Sequence, residues 1–267
     1  MKPRVLAHDI AGDGDPLVLV PGGLTGWVSW MPHQERLSSR HRVIRVQPIH
    51  NELGSAGEPG DPGYTREVER ESLRLTLDEL AIDQADFAGW SNGGRALIEF
   101  TLAYPDRVRS LALVEPAAYW ILDALGETDA HLDQFYRYMY GLAGKTVTED
   151  DLALFLSSAG FVDDPALARE HPYWERAFPH RMALSWVSDE LMASGYSPDD
   201  LASITCPVLL TKGTVTEDWE KRVVDLLGEL LPDARVVELD GGHAHHIESI
   251  DQFLAELEAH LSKPRVT

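Results

Sequence analysis

Short apolar runs alternate along the chain with segments whose apolar residues recur at helical spacing. The apolar runs predict buried strands at residues 16–20, 42–46, 85–88, 108–114, 206–210 and 235–239. The helical spacing predicts helices at residues 65–81, 95–103 and 217–231, and a last helix from residue 250. Continuous apolar strands alternating with amphipathic helices are typical of a mostly parallel sheet flanked by helices. The pattern therefore predicts an α/β fold.

The last helix has the clearest pattern. Its apolar positions follow the spacing i, i+3, i+4, i+7 and i+11: Ile250, Phe253, Leu254, Leu257 and Leu261. Ser249 and Gln252 have the spacing of a capping box, in which each side chain bonds the backbone N–H of the other residue. We therefore expect the helix to begin with that motif.

Residues 119–200 interrupt the alternation. They are rich in helix formers and aromatic residues, contain no clear strand, and include helix starts at Thr148 and at Asp163-Asp164-Pro165. A helical insertion between parallel strands would cover the carboxyl ends of the strands, where substrate pockets form in open α/β sheets. We predict a core of residues 1–118 and 201–267 with a helical cap of residues 119–200.

Composition narrows the function classes. A formal charge of −21 over 267 residues argues against binding nucleic acid or anionic membranes, whose phosphates demand Lys and Arg. The single cysteine, Cys206, excludes an internal disulfide or a thiolate zinc cluster, and its apolar surroundings suggest a small core residue. No signal peptide or membrane-spanning stretch is apparent, so we expect a cytoplasmic protein. The sequence leaves the oligomeric state open.

The most informative motif, Gly-Trp-Ser-Asn-Gly-Gly at residues 89–94, lies between a predicted strand and a predicted helix. A Gly-x-Ser-x-Gly there is typical of a nucleophile elbow, which holds the serine hydroxyl above the end of a sheet. The flanking glycines permit the close backbone approach of such a turn. The alternative is a glycine-rich turn with a solvated serine. The motif predicts Ser91 as a nucleophile.

A serine nucleophile needs a base, and a histidine after the last strand could supply it. His243 directly follows Gly241-Gly242 in the loop before the last helix, so we favour it over His245, His246 and His50. We expect His245 and His246 to be helix-start or packing residues. Their spacing does not match a helical metal-ligand pair, so we predict no metal and no cofactor.

An acid must orient the base, and two loops offer one. Glu115 directly ends the predicted strand 108–114 and is followed by proline. Glu217 or Asp218 follows the next predicted strand, but both have the position of first-turn helix residues favoured by the dipole. We favour Glu115, and either choice gives the order serine, acid, histidine.

Two backbone N–H groups should bind the oxyanion of an acyl-transfer intermediate. We assign them to Asn92, next to the nucleophile, and to Gly23 in the glycine-rich loop after the first buried strand, with Leu24 as the next choice. A phosphate-binding loop is less favoured because no Gly-Lys-Ser/Thr follows. We assign Leu24, Trp90 and Trp27 to the substrate-binding site, although Trp27 could equally pack the first helix against the sheet.

Taken in order, these motifs resemble those of the α/β-hydrolase superfamily, over essentially the whole chain. The loop 20–24, the run 104–109 leading to Glu115, and the segment 172–179 also resemble zearalenone-type lactonases. That resemblance supports Glu115 as the acid, places Trp174 against the substrate, and implies hydrolysis of a resorcylic macrolactone. The alternative for Trp174 is an aromatic residue in the core of the cap.

We predict a serine hydrolase acting on a small-molecule ester or lactone through Ser91, His243 and Glu115. The alternatives are a C–C bond hydrolase, a non-hydrolytic cyclase, and a non-enzymatic small-molecule receptor on the same fold.

Overall fold

A seven-stranded sheet forms the centre of the molecule in the computed structural model, which describes residues 1–188 and 195–262. The strands are β1 (Ala7–Ala11), β2 (Asp15–Val20), β3 (His41–Gln47), β4 (Ala85–Trp90), β5 (Val108–Val114), β6 (Val208–Gly213) and β7 (Ala234–Leu239). Their order is β1-β3-β2-β4-β5-β6-β7, and only the β1–β3 pairing is antiparallel. The mostly parallel sheet of an α/β fold is thus confirmed.

Helices connect the strands. The α-helices are α1 (Met31–Leu37), α2 (Ile49–Ser55), α3 (Arg66–Glu79), α4 (Asn92–Ala103), α5 (Trp120–Ala124), α6 (Ala130–Leu142), α7 (Glu149–Ser158), α8 (Trp174–Ala177), α9 (Asp218–Leu230), α10 (His245–Glu248) and α11 (Ile250–Leu261). The 3-10 segments are Gly26–Trp30, Pro105–Arg107, Pro165–Glu170, Phe178–Trp186 and Pro198–Ser203. No helix among the described residues is long and apolar enough to cross a membrane.

The segment between β5 and β6 is helical, as expected. Within residues 115–188 and 195–207 it contains α5 to α8 and three 3-10 segments but no strand. Residues 189–194 lie outside the described residues, as do 263–267 in the C-terminal part of the core prediction. The division into a core and a cap of residues 119–200 stays a prediction.

Some boundaries differ from those expected. Strand β6 begins at Val208, so Cys206 precedes the strand and is half-buried rather than a core residue. Thr148 does cap α7, through a reciprocal capping box with Asp151. The box expected at Ser249 is wrong: Ser249 makes no side-chain cap bond, and Gln252 instead bonds Asp240.

The parallel direction of six strands positions the site. The loops after β2, β4, β5, β6 and β7 all leave from the same edge of the sheet because their strands are parallel. Residues that are far apart in the sequence therefore meet at this edge.

Candidate active site

Ser91 lies in a strained turn between β4 and α4. Its φ of 53° and ψ of −118° fall in a region that non-glycine residues rarely occupy, at a cost of roughly 1–3 kcal/mol. Two backbone bonds hold the turn: Ser91 N–H donates to Val114 O at 2.9 Å, and Ala117 N–H donates to Ser91 O at 3.0 Å. The neighbouring strand end thus fixes the serine at the sheet edge.

The glycines of the motif permit this turn because side chains there would clash. A Cβ on Gly93 would lie 2.4 Å from the carbonyl oxygens of Val20 and Pro21. A Cβ on Gly89 would lie 2.7 Å from Leu97 Cδ1 and 2.9 Å from the Gly93 carbonyl. The close packing of β2, β4 and α4 therefore depends on these two positions.

His243 and Glu115 meet at the edge of the sheet. His243 Nδ1 lies 2.7 Å from Glu115 Oε2, and both side chains are buried. The other oxygen, Glu115 Oε1, accepts the Gly213 N–H at 2.7 Å. This pairing fixes the ring so that Nδ1 carries the proton and Nε2 is free to act as a base.

A second carboxylate, which the sequence interpretation missed, also contacts the histidine. Glu220 Oε1 lies 3.3 Å from His243 Nδ1, and the Glu220 side chain is buried. Glu217 and Asp218, the alternative acids after β6, lie closer to solvent than Glu220. Asp218 is exposed and Glu217 is only half-buried. The buried face of α9 thus presents Glu220 rather than either of them. Its position on the buried stripe of an amphipathic helix was the only signal in the sequence.

The two carboxylates change the acid–base properties of the histidine. Burial alone would lower the pKa of His243, but Glu220 and Glu115 more than offset it and raise that pKa to about 9. Burial raises the pKa of Glu220 to about 8, with His243 opposing the rise and Glu115 adding to it. Burial also acts to raise the pKa of Glu115, but the hydrogen bond from His243 leaves it below its ordinary value.

These three side chains also form a donor set that a cation could use. Ligand atoms of Glu115, Glu220 and His243 lie within 4.8 Å of one another. However, Nδ1 faces both carboxylates at hydrogen-bonding distance, and a cation there would displace the proton that Nδ1 donates. The arrangement fits acid–base chemistry better than metal binding. That the site works without metal stays a prediction.

The two residues assigned to the oxyanion site are neighbours. A Cβ on Gly23 would lie 3.6 Å from Asn92 Cβ, and both residues line a cavity together with Ser91. Asn92 is the first residue of α4, where backbone N–H groups have no partner within the helix. The geometry is suitable for two N–H donors beside the serine.

The cavity over Ser91 has a volume of about 120 Å³. Its polar side contains Ser91, Asn92, Arg95, His50, Tyr64, Tyr119, Glu220 and His243. Its apolar walls come mainly from the segment between β5 and β6: Phe135, Met139, Phe155, Ala159, Leu184, Trp186 and Val187. Sequence reasoning missed these wall residues because nothing local marks a helix face as facing a cavity.

The four side chains predicted to bind substrate lie elsewhere. Leu24, Trp27, Trp90 and Trp174 are not among the cavity-lining residues of ranges 1–188 and 195–262. Trp90 is buried beneath the histidine loop, where its Nε1 donates to His243 O at 2.9 Å. Arg45 lies over Trp27, while Trp174 stacks on Phe178. Leu24 is buried in the core, and contact of these four side chains with substrate stays a prediction.

The other histidines have separate places. His245 is buried, with Nε2 at 2.8 Å from Thr211 Oγ1. His246 packs against Trp30 and Trp90, in keeping with a packing role. His50 lines the same cavity as Ser91.

Comparisons with known proteins identify the family. A profile described as the Alpha/beta hydrolase family matches residues 17–256. The chain is similar to a putative carbamate hydrolase, RutD, of Azorhizobium caulinodans, with 29% identity over 259 residues, 93% of this chain and 91% of that protein. A 2-hydroxymuconate semialdehyde hydrolase of Pseudomonas sp. (strain CF600) is 35% identical over 117 residues, 43% of this chain and 40% of that protein.

Solved structures show the same fold. The enol-lactonase from Burkholderia xenovorans LB400 superposes with a TM-score of 0.70 at 23% identity, covering 97% of this chain and 96% of that one. The arrangement of strands and helices is thus shared with that structure.

Proposed function

Since the chain belongs to the alpha/beta hydrolase family, we propose that it is a serine hydrolase of carboxylic esters or lactones. The observation that carries the proposal is the contact between His243 Nδ1 and Glu115 Oε2 at 2.7 Å, with His243 lining the same cavity as the strained Ser91. A nucleophile, a base and an acid held at one sheet edge are the parts that acyl transfer requires.

In the proposed reaction, His243 Nε2 takes the proton of Ser91 while the serine oxygen attacks the carbonyl carbon. Glu115 holds the ring in the required tautomer and stabilises the imidazolium. The N–H groups of Gly23 and Asn92 stabilise the oxyanion. The imidazolium then protonates the leaving alcohol, and a water activated by His243 releases the acid and the free serine.

The size of the cavity favours a compact acyl group. A volume of about 120 Å³ is somewhat below the ~150 Å³ of an apolar cavity that holds benzene. An acyl group the size of one aromatic ring or a short chain matches it better than a whole resorcylic macrolactone. Zearalenone would have to project from the open mouth of the cavity, or the apolar walls between β5 and β6 would have to move apart.

A second candidate is hydrolysis of a C–C bond next to a carbonyl. It is supported by the similarity to the 2-hydroxymuconate semialdehyde hydrolase, which extends over 43% of this chain. Assaying that semialdehyde beside the esters separates the two activities, because cleavage of the C–C bond and cleavage of the ester bond are each monitored through a different chromophore.

The test combines labelling with a matched pair of variants. We expect a fluorophosphonate to label the wild type but not Ser91→Ala, because only an activated serine reacts. Glu115→Gln should lower turnover of p-nitrophenyl esters by roughly 10⁴-fold, as a mis-set tautomer does in other triads. Asp218→Asn, which removes an exposed charge on the competing loop, should change it little. An unlabelled wild type would refute the nucleophile, and the opposite ranking of the two variants would move the acid.

A further inference from the structure

His50 lies on the cavity and is not used by the proposed reaction. It belongs to α2, is 4% exposed, and lines the space above Ser91. Its Nδ1 lies 3.0 Å from the Tyr64 hydroxyl, while its Nε2 is buried without a hydrogen-bond partner. A buried polar atom left unsatisfied costs about 1–3 kcal/mol, so its retention calls for an explanation.

A chain of hydrogen bonds fixes which ring nitrogen carries the proton. The Tyr64 hydroxyl donates to Glu69 Oε1 at 3.1 Å, and Glu69 is ion-paired with Arg95 at 2.6 Å. A hydroxyl has one proton, so Tyr64 must accept from His50 Nδ1–H. Burial lowers the pKa of His50 to about 4, which keeps the ring neutral at pH 7. Nε2 therefore presents a lone pair.

The neighbouring groups restrict what could bind that lone pair. The Arg95 guanidinium is already bonded to Glu69, Glu99 and Asn92. Four of its five N–H groups are thereby engaged, counting the bond from Nε to Asn92, so it lacks the two free donors that a bidentate pair with a substrate carboxylate needs. An acceptor lone pair repels an anion and favours a neutral group that donates a hydrogen bond.

We propose that His50 Nε2 is a subsite for a hydroxyl group on the acyl part of the substrate, so that the preferred esters or lactones carry an alcohol or phenol. This inference rests on the proposed function, because the cavity holds the acyl group only if Ser91 is the nucleophile. The apolar walls would hold the carbon skeleton, and the His50–Tyr64–Glu69 chain would hold the hydroxyl.

The experiment compares p-nitrophenyl esters of phenylacetate, its three ring-hydroxylated isomers and their methoxy counterparts. We expect at least one hydroxylated isomer to exceed both phenylacetate and its methoxy counterpart in kcat/KM by about 10- to 100-fold. His50→Phe, which keeps a ring but removes the acceptor, should abolish that preference, while His50→Gln, which retains an acceptor oxygen, should keep part of it.

Equal kcat/KM for hydroxyl and methoxy esters in the wild type would overturn the subsite, and so would a preference that survives in His50→Phe. The wild-type comparison needs no variant and therefore decides the claim even if a variant does not fold. Turnover of no ester would count against the proposed function. In that case, calorimetry of the hydroxylated and methoxy phenylacetamides with Ser91→Ala tests the subsite independently: equal affinities overturn it, and tighter binding of the hydroxylated amide supports it.

Discussion

At the scale of single residues, His243 differs from a simple triad base because it meets two carboxylates. Glu115 and Glu220 lie 2.7 Å and 3.3 Å from the same Nδ1 atom. The second one raises the pKa of the histidine without being needed to select the tautomer, which Glu115 already does. A base with a raised pKa is protonated, and therefore inactive, up to a higher pH.

We expect Glu220→Gln to move the acidic limb of the kcat/KM profile to lower pH by roughly one unit, since a neutral amide no longer stabilises the imidazolium. The profile measured between pH 5 and pH 10 on a p-nitrophenyl ester checks this. Glu115 and Glu248, which also raise the pKa of His243, are unchanged in the variant. Asp218→Asn, in the same helical turn but exposed, is the control. If the acidic limb of the profile lies at the same pH in Glu220→Gln and in the wild type, Glu220 does not raise the pKa of His243.

At the scale of elements, the site depends on how closely β2, β4 and α4 approach. We expect Gly93→Ala to destabilise the protein by about 3 kcal/mol or more, because its Cβ would lie 2.4 Å from two carbonyl oxygens. Gly141→Ala is the control: Gly141 is exposed in α6 with nothing within 4 Å, so alanine should stabilise by up to ~1 kcal/mol. Urea unfolding measures both, and equal stabilities would contradict the packing argument.

The predicted elements were the ones with strong local patterns. The six predicted strands and the helices α3, α9 and α11 follow from their apolar patterns, although β7 is an edge strand in which only Leu239 is buried. Strand β1 was missed because Ala7–Ala11 is a largely exposed edge strand, with no apolar run to mark it. The box at Ser249 failed for a related reason: Gln252 found a partner in Asp240, 12 positions away, which spacing alone cannot reveal.

At the scale of the whole molecule, buried neutral histidines make the fold sensitive to acid. Burial lowers the pKa of His33 to about 4 and that of His246 well below its ordinary value. The unfolded chain, with histidine pKa values near 6.5, then binds protons that the folded state refuses. The stability they contribute is present above pH 6.5 and is lost as the pH falls towards 4.

We expect His246→Leu to reduce this loss by about 1.4 kcal/mol per pH unit, which is the contribution of one proton. Both ring nitrogens of His246 lack hydrogen-bond partners, so leucine removes no hydrogen bond. Urea unfolding between pH 7 and pH 4.5 measures how the free energy of unfolding changes with pH in each protein. Surface carboxylates titrate in both proteins, so the wild type is the reference for their contribution. Parallel slopes in the two proteins would exclude His246 as a source of the sensitivity.

The sequence located the catalytic candidates better than the walls around them. Ser91, Glu115 and His243 each follow a strand, and the parallel sheet brings strand ends together whatever the details of packing. The wall residues and Glu220 depend on how helices rotate against the core, which no local motif encodes. For the same reason, no local motif shows whether Trp90 and Trp174 line the cavity or pack outside its walls, and their contact with substrate stays a prediction.

Two parts of the chain form the cavity, and this division has a consequence for how such a protein evolves. Its polar atoms come almost entirely from loops and helices of the sheet, and its apolar walls from the segment between β5 and β6. Hydrogen bonds join the two parts of the chain: one links the hydroxyls of Tyr173 and Thr25, and in another Trp186 Nε1 donates to Glu58 O. Recombination that exchanges the part of this segment beyond Glu115 and Tyr119, with these contacts retained, would deliver a new substrate range in a single genetic event while the serine, histidine and glutamate stay in place.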